Sequence, residues 1–322
     1  MVSPPLLKTN AETFRGVLNV NKPSGISSYD VIRAIKRIFY ESMSSSKGEQ
    51  PIKLGHAGTL DPMANGVLLI LFNEATKINP FLMEQKKEYL AEIRLGIRTD
   101  SDDVTGKVLE EKNIPAIPLK QIKQVLSKFQ GEISQNPPIF SALHAQGKRL
   151  YDIARAGKTV ETKPRKVTID EIELIKFILP ILTIRTVVSK GTYIRALARD
   201  IGNELGCGAT LNSLTRTRIG NFQLTDSVSL IELTLTLIRK EMVPIADALP
   251  NLNSAFVQAA AIDKLLTGQP IKLTELSEPN FSSLSSPLVK LFDDEQKIMA
   301  IAQPINDGLK PIRLIYADIP KK

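Results

Sequence analysis

The sequence predicts a mixed α/β protein, and three features indicate this class. The chain has 322 residues, of which 43% are hydrophobic and 24% charged, as in globular proteins with a sizeable core. Apolar residues recur at helical spacing after Ser27 and Ser28, and they alternate with polar residues over Leu90–Leu95, as in a half-buried strand. Val67–Phe72 is a continuous apolar run of strand length. Helices and strands are therefore expected to alternate along one large domain or two ordinary ones.

The first half of the chain is expected to begin with a loose tail over residues 1–13. A short apolar stretch, Gly16–Val20, leads through a Pro/Gly turn to a helix that Ser27 or Ser28 can cap. A polar, Ser-rich segment over 41–51 is predicted to be a flexible loop. The predicted elements after it are a Gly-rich loop over 55–66, the strand Val67–Phe72, a pairing of Leu90–Leu95 with Val104–Leu109, and a helix over 118–130 ended by Gly131.

The second half contains a long basic segment and a small β-rich unit. Residues 134–166 are rich in Pro, Gly, Lys and Arg, which predicts a basic loop. After the strand Ile181–Val188, Thr192 is expected to cap a helix that ends at Gly206. The sequence changes character around 246–254, and residues 255–319 indicate a β-rich unit with a hairpin of Leu288–Phe292 and Lys297–Ala302.

Charge and composition narrow the classes of function. The net charge is +8 and the pI about 9.4, while residues 251–322 contain equal numbers of basic and acidic residues. The surplus therefore lies in the first 250 residues and favours a polyanionic partner. A single cysteine and two histidines exclude an internal disulfide, a paired-cysteine zinc site and a three-histidine metal centre. No signal peptide or membrane-spanning run is predicted, so a cytoplasmic location is expected.

The densest chemical signal is the Gly-rich motif Gly55–Leu68, which contains Asp61 followed by Pro62. Its glycines allow sharp turns or close approach to a ligand, and Pro62 biases Asp61 towards an extended backbone. On spacing alone, Asp61 is either a catalytic carboxylate or a turn residue that accepts local hydrogen bonds. The motif is not a phosphate-binding P-loop, because no Lys-Ser/Thr pair follows its second glycine. It also contains the GxxG of KH domains, which is weak evidence.

A family resemblance favours the catalytic assignment. The Gly55–Leu68 motif resembles the signature loop of the TruB family, the tRNA pseudouridine-55 synthases. Further matches follow the family's order over residues 14–220: Gly16–Gly25, Lys87–Tyr89, Leu95–Asp100, Gly147–Tyr151 and Lys190–Arg195.

The resemblance implies a role for each matching residue. Asp61 would be the nucleophile or base that detaches uracil from ribose, Tyr89 would stack on the target base, and Arg195 would keep Asp61 ionised and aligned. The residues implied to contact the RNA are Lys22, His56, Asp103, Tyr193 and Leu214.

The same resemblance implies the fold, the domains and the partners. The fold would be a bent, largely antiparallel sheet with flanking helices over residues 14–245, followed by a PUA-like C-terminal domain over 250–322. Residues 134–166 would grip RNA. The substrate would be the T-arm of tRNA, with further contact to the acceptor stem left open. No metal or organic cofactor is expected, since the product is an isomer of the substrate, and a monomer is expected.

Some positions depart from the family pattern, and two other functions stay open. Ala57 and Asn65 replace the usual Thr, while Phe140 and His144 fall where Tyr and Lys are expected. One alternative is an RNA-binding protein without catalysis. The other is a glycoside hydrolase, which would need a second carboxyl about 5–5.5 Å from Asp61 for a retaining mechanism. Asp100–Asp103 echoes an EF-hand, but Thr105 occupies the position that requires glycine.

Overall fold

A computed structural model describes residues 14–42, 52–139, 163–277 and 287–316, and the backbone of 144–145 and 148–149. The predicted tail over 1–13 lies outside the described residues. Most residues of the predicted loops over 41–51 and 134–166 also lie outside the described residues. At their edges the first helix continues through Ser42, and residues 134–135 and 165–166 belong to paired strands, while residues 136–139 and 163–164 are irregular as predicted.

Six α-helices and twenty strands are present in the described part of the chain. The helices are α1 Ser28–Ser42, α2 Asn79–Glu84, α3 Leu119–Ser127, α4 Ile194–Glu204, α5 Leu235–Glu241 and α6 Ile262–Leu266. The first ten strands are β1 Gly16–Lys22, β2 Leu54–Ala57, β3 Asn65–Phe72, β4 Lys87–Leu95, β5 Ile97–Thr99, β6 Val108–Glu111, β7 Gly131–Gln135, β8 His144–Ala145, β9 Lys148–Arg149 and β10 Arg165–Ile178. The other ten are β11 Ile181–Val188, β12 Ala209–Ile219, β13 Phe222–Gln223, β14 Val228–Ser229, β15 Val243–Pro244, β16 Asn253–Phe256, β17 Ile271–Lys272, β18 Val289–Phe292, β19 Ile298–Ile305 and β20 Gly308–Leu314.

The large sheet is curled, mixed and mostly antiparallel, as the sequence predicted. Its main path runs β14-β1-β3-β12-β4-β11-β10-β7, with β2, β13 and β15 paired to its members. Within this sheet, the parallel pairs among the described strands are β1 with β14 and β3 with β12. The parallel contact is tight at Gly66, where an added Cβ would lie 2.3 Å from the Arg216 carbonyl oxygen. Glycine is therefore required where β3 meets β12.

Strand β4 lies in the middle of this sheet and alternates as predicted, with its odd-numbered residues buried. The prediction that Val104–Leu109 pairs with it was wrong. Gly96, at φ +80°, ends β4, and β6 pairs instead with β5. The neighbours of β4 are β11 and β12, which come much later in the chain.

Helix α1 begins where the serines predicted it. The Ser27 hydroxyl accepts a hydrogen bond from the Asp30 N–H at 3.1 Å, and the Asp30 carboxylate accepts one from the Ser27 N–H at 2.8 Å. Ser27 is therefore the cap. The buried face of α1 carries Val31, Ile32, Ile35 and Phe39 and packs on one face of the large sheet. Within the described residues, no helix is both long and apolar enough to cross a membrane.

The C-terminal β domain forms a separate five-stranded sheet in the order β16-β18-β19-β20-β17. The predicted hairpin is confirmed as the antiparallel pair β18–β19. This domain contacts the face of the large sheet opposite to α1, since Phe292, Ile298 and Ile301 share a buried cluster with Leu69 and Leu71 of β3. The other face of β3 therefore remains available to the helices and the site.

Candidate active site

The Gly-rich motif folds into two strands joined by a loop that presents Asp61. Its first residues, predicted to be loop, form β2, and the chain re-enters the sheet at Asn65. The Asp61 carbonyl accepts a hydrogen bond from the Ala64 N–H at 3.1 Å, which closes the turn. The Asp61 side chain is 35% exposed. The loop thus holds a carboxylate that a ligand can reach, between two strands that fix its ends.

Arg195 holds this carboxylate through two parallel contacts. Its Nη2 donates to Asp61 Oδ1 at 3.1 Å, and its Nε lies 2.9 Å from Oδ2. The side chain of Arg195 is only 7% exposed and comes from the second residue of α4. A planar guanidinium matches a carboxylate in this side-on geometry and fixes its orientation as well as its charge.

Asp103 lies behind Arg195. Its Oδ2 is 3.6 Å from Arg195 Nη1, and its Oδ1 accepts hydrogen bonds from the Ser101 hydroxyl and from the backbone and hydroxyl of Thr105. Arg195 Nη1 also donates to the Ser101 carbonyl at 3.1 Å. The carboxyl of Asp103 is almost fully buried, so in this structure it orients Arg195 from behind rather than facing an open surface.

The start of α4 is fixed by a side chain of strand β7. The prediction that Thr192 caps this helix was wrong, because its hydroxyl donates to the Ser189 carbonyl and Tyr193 is the N-cap residue. Gln135, the buried last residue of β7, accepts from the Tyr193 N–H at 2.8 Å and donates to the Tyr193 carbonyl at 3.1 Å. Gln135 therefore fixes the backbone of the N-cap residue Tyr193, two residues before Arg195, from both its N–H and its carbonyl.

Lys22 and Ser28 form hydrogen bonds with the residues on either side of Asp61. Lys22 is fully buried, and its Nζ donates to the carbonyls of Pro23, Ile26 and Pro62. Burial lowers the pKa of Lys22 to about 8, although the nearby Asp61 carboxylate opposes the shift. The Ser28 hydroxyl accepts from the Leu60 N–H at 2.9 Å and donates to the Leu60 carbonyl at 3.2 Å. Both ends of the short segment around Asp61 are thereby tied to β1 and α1.

Tyr89, Leu214 and Tyr193 lie on the elements that surround the loop. Tyr89 on β4 and Leu214 on β12 are 7% and 5% exposed and belong to the same buried cluster as Leu60. Their strands are adjacent, with Ala91 opposite Leu214. Tyr193 is half-buried at the start of α4. Tyr89 and Leu214 are thus part of the apolar core that reaches Leu60, the residue before Asp61, and Tyr193 lies two residues before Arg195.

His56 lies on β2, opposite Ile70, and is half-buried. Burial lowers its pKa, and the positive charge of Arg216 lowers the pKa further, so the imidazole is neutral at pH 7. Its Nδ1 is buried without a hydrogen-bond partner in the described part of the chain. Direct contacts therefore join Asp61, Arg195 and Asp103, and Lys22 holds the loop, while His56 belongs to the strand leading into it.

Four further residues around this loop had no predicted role in the site: Ser28, Lys87, Gln135 and Arg216. Lys87 is buried, and its Nζ donates to the Met83 and Gln85 carbonyls at 2.6 Å each. Burial lowers the pKa of Lys87 to about 8, and the charge of Arg216 contributes. The strand periodicity could have identified Lys87, because Lys87 lies on the same inward face of β4 as Tyr89 and Ala91.

Comparison with known proteins defines the class first. Residues 45–194 match the model of the TruB family pseudouridylate synthase N-terminal domain, and residues 195–255 match that of the tRNA pseudouridylate synthase B C-terminal domain. These matches define a pseudouridylate synthase. A solved structure of an H/ACA RNP bound to a substrate RNA containing 2′-deoxyuridine shares the fold, with a TM-score of 0.69, 22% identity and coverage of 98% of this chain and 92% of that chain.

Curated relatives match over nearly the whole chain. The tRNA pseudouridine synthase B of Clostridium kluyveri is 40% identical over 301 residues, which are 93% of this chain and 99% of the relative. That of Dehalococcoides mccartyi strain BAV1 is 37% identical over 311 residues, which are 95% of this chain and 98% of the relative. The chain belongs to the TruB family of pseudouridylate synthases.

Proposed function

We propose that this protein isomerises uridine 55 in the T-loop of tRNA to pseudouridine and that Asp61 is the group that breaks the glycosidic bond. The observation that carries the proposal is the pair of Asp61 and Arg195. A partly exposed carboxylate is held side-on by a buried guanidinium, on a loop fixed between two strands. The near full-length match to tRNA pseudouridine synthase B relatives supports the reaction and the substrate.

The chemistry requires one carboxylate and no consumed reagent. The N1–C1′ bond of the nucleotide breaks, the uracil turns, and a C5–C1′ bond forms. The proton at C5 is lost to water and N1 gains one, so the product is an isomer and atoms and electrons balance. Asp61 acts at the ribose or the base to assist the first step, and Arg195 holds it in the reactive orientation.

The target base must leave its stack to reach Asp61. Flipping a nucleotide out costs a few kcal/mol of lost stacking, and stacking on an aromatic ring returns about 1–3 kcal/mol. Tyr89 is the proposed aromatic partner and assists in removal of the C5 proton. Its ring lies in the wall beside the loop rather than on the open surface.

The remaining site residues act on the RNA or on the loop. Tyr193 and Leu214 line the base pocket, and His56 occupies the space that the flipped base vacates. The family resemblance assigns Asp103 to displaced nucleotides, but its buried carboxyl favours a role in orienting Arg195. Lys22 contributes to the pocket through the backbone of the Asp61 loop, which its three hydrogen bonds hold.

The proposed substrate is the T-arm, bound by residues 14–245 of a monomer. The surplus positive charge lies in the first 250 residues, which matches a phosphate backbone. Residues 134–166 form the proposed RNA-gripping segment, and residues 250–322 form the C-terminal domain. The first strand of its sheet begins at Asn253, which supports a boundary near residue 250. The neutral charge of this domain favours a modest share of RNA affinity.

A product analysis tests the function. A tRNA transcript is incubated with the purified protein, digested, and analysed for pseudouridine at position 55 and for free uracil. We expect pseudouridine at that position, no free uracil, and no product with Asp61→Asn. Free uracil would instead indicate a glycoside hydrolase. Tight binding of the transcript by the wild-type protein without any product would indicate an RNA-binding protein.

A further inference from the structure

Arg216 is the largest of the fully buried side chains, and it points into the loop that carries Asp61. It lies on β12 and is 1% exposed. Its Nε donates to the Val67 carbonyl at 2.8 Å, and its Nη2 donates to the Gly58 carbonyl at 2.9 Å. The Nη1 atom lies 3.5 Å from the Thr59 carbonyl. One guanidinium therefore connects the residues just before Asp61 with the strand just after it.

Arg216 is bound by carbonyl groups instead of carboxylates. It forms no ion pair within the described part of the chain, where its hydrogen-bond partners are backbone oxygens of the Asp61 loop and β3. Burying a charge without an opposite charge is costly, and an apolar side chain of similar volume would fill the same space at lower cost. The contacts with the loop, rather than packing, therefore explain an arginine here.

The backbone around Arg216 is shaped to admit it. Gly58 has φ +87°, and a Cβ there would lie 3.4 Å from Arg216 Nη1. Gly66 has φ +103°, and a Cβ there would lie 2.3 Å from the carbonyl oxygen of Arg216. Glycines thus occupy both ends of the loop where it contacts Arg216.

A lysine at this position would not reproduce the contacts. The guanidinium directs planar donors in fixed, divergent directions, and it uses them to reach Val67 on one side and Gly58 on the other. An ammonium group is a single point on a flexible stem. A lysine would keep the charge and satisfy one end of the loop at a time.

We propose that Arg216 is a positioning residue for the reaction, which fixes both ends of the Asp61 loop so that the carboxylate meets the ribose in one orientation. The proposal rests on the proposed function, because it assigns the residue to that chemistry. Misplacement of a reacting group by about 1 Å costs about a hundredfold in rate. Loss of the guanidinium is therefore expected to slow the chemical step while the RNA-binding surface stays intact.

The test compares Arg216→Lys with Arg218→Lys. Arg218 is the matched control, since it lies on the same strand but is partly exposed and contacts Glu88. Single-turnover rates with excess enzyme are measured on a T-arm hairpin carrying 5-tritiated uridine, and dissociation constants on the same hairpin by anisotropy. We expect Arg216→Lys to lose at least about tenfold in rate with a dissociation constant within about threefold of wild type. Arg218→Lys should stay within about threefold in both.

The alternative outcomes are separable. Wild-type rates in Arg216→Lys, or a loss explained by weaker binding alone, would overturn the proposal. Should circular dichroism show that this variant is unfolded, Arg216→Gln is measured in the same way; if that variant is also unfolded, the residue holds the fold as a whole and the proposal is wrong. An inactive wild-type protein would instead contradict the proposed function itself.

Discussion

Buried ionic side chains are distributed very differently between the large sheet and the C-terminal sheet. Around the Asp61 loop the described residues include five that are nearly or fully buried: Lys22, Lys87, Asp103, Arg195 and Arg216. The C-terminal sheet has one, Lys290, whose Nζ donates to the Ala246 carbonyl at 3.0 Å. The remaining core of that sheet is apolar.

This difference distinguishes the apolar residues that stabilise the fold from the buried charges that the site requires. The C-terminal sheet is built around an almost entirely apolar core, so this chain forms a sheet with little buried charge. Buried charges cost free energy of desolvation and are retained where they have another use. Their concentration around one loop indicates that the region near Asp61 is built to hold a carboxylate and its partners in fixed positions, at some expense in stability.

The largest expected effect in the region around the Asp61 loop is that of Asp61→Asn on the isomerisation rate. The amide retains the shape but removes the reactive charge, so the isomerisation rate is expected to fall at least about a thousandfold while RNA binding persists. Rates are measured on a tRNA transcript at saturating enzyme. Asp170→Asn is the matched control, because the Asp170 carboxylate pairs with the exposed Lys86 and, within the described residues, contacts no residue of the Asp61 loop. Residual activity near wild type would remove Asp61 from the chemistry.

Arg195→Lys is expected to have the next largest effect. Lysine keeps the positive charge but cannot contact both carboxylate oxygens side-on, so the rate should fall by roughly 10²–10³-fold. The dissociation constant for the T-arm hairpin should change little. A lysine variant with nearly normal rate would show that charge alone, without the geometry of the pair, is sufficient.

Gln135→Leu should reduce the rate by about tenfold. The variant loses both hydrogen bonds to the Tyr193 backbone and loosens the first turn of α4, which carries Arg195. Gln130→Leu is the control, since its side chain makes one exposed bond to the Asp170 carbonyl. Equal rates for the two variants would mean that α4 is positioned by its packing and not by Gln135.

The pH dependence of stability gives a smaller and independent effect. Burial lowers the pKa of Lys87 from 10.5 to about 8. Between these pH values the unfolded chain binds the proton that native Lys87 has released, so the free energy of unfolding gains a contribution that grows as pH rises. Urea unfolding at pH 8 and pH 10 should show a larger increase in Lys86→Met than in Lys87→Met, by on the order of 1 kcal/mol, because Lys22, whose pKa is also about 8, contributes equally to both variants. An identical pH dependence in the two variants would contradict the assigned burial of Lys87.

Lys290→Met should have the smallest effect on catalysis. The residue is as buried as Lys87 but lies in the C-terminal sheet, so the isomerisation rate is expected to stay within about twofold of wild type. The same single-turnover assay measures it, with Lys87→Met as the comparison. A large loss of rate in Lys290→Met would show that buried cations matter wherever they are, and the contrast between the two sheets would have no functional meaning.

Local patterns predicted the elements of this fold well and their pairing less well. The strand Val67–Phe72, the alternation through Tyr89 and the helix carrying Arg195 could be predicted from periodicity. The partner of Leu90–Leu95 could not, since β11 and β12 lie far along the chain and Gly96 turns the nearer segment away.

The residues that hold the site in place from distant parts of the chain could not be predicted from local patterns either. Arg216 contacts Gly58 across 158 residues, and β12 is irregular relative to β4 on both sides of Leu214. Such bulges shift the phase of a strand, so the sequence does not show which of Arg216 and Arg218 faces inward. The resemblance to the TruB family named Asp61 and Arg195, whereas Gln135 and Arg216 emerged only from their contacts.

The proposed function depends most directly on Asp61, which Arg195 holds and which breaks the glycosidic bond so that C5 can bond to the ribose. The decisive measurement is single-turnover release of tritium from 5-tritiated uridine in a T-arm hairpin, by wild type and Asp61→Asn, with hairpin affinity measured in parallel. We expect stoichiometric release by wild type, none by the variant, and similar affinity for both. Release by Asp61→Asn at a wild-type rate would contradict this role of Asp61.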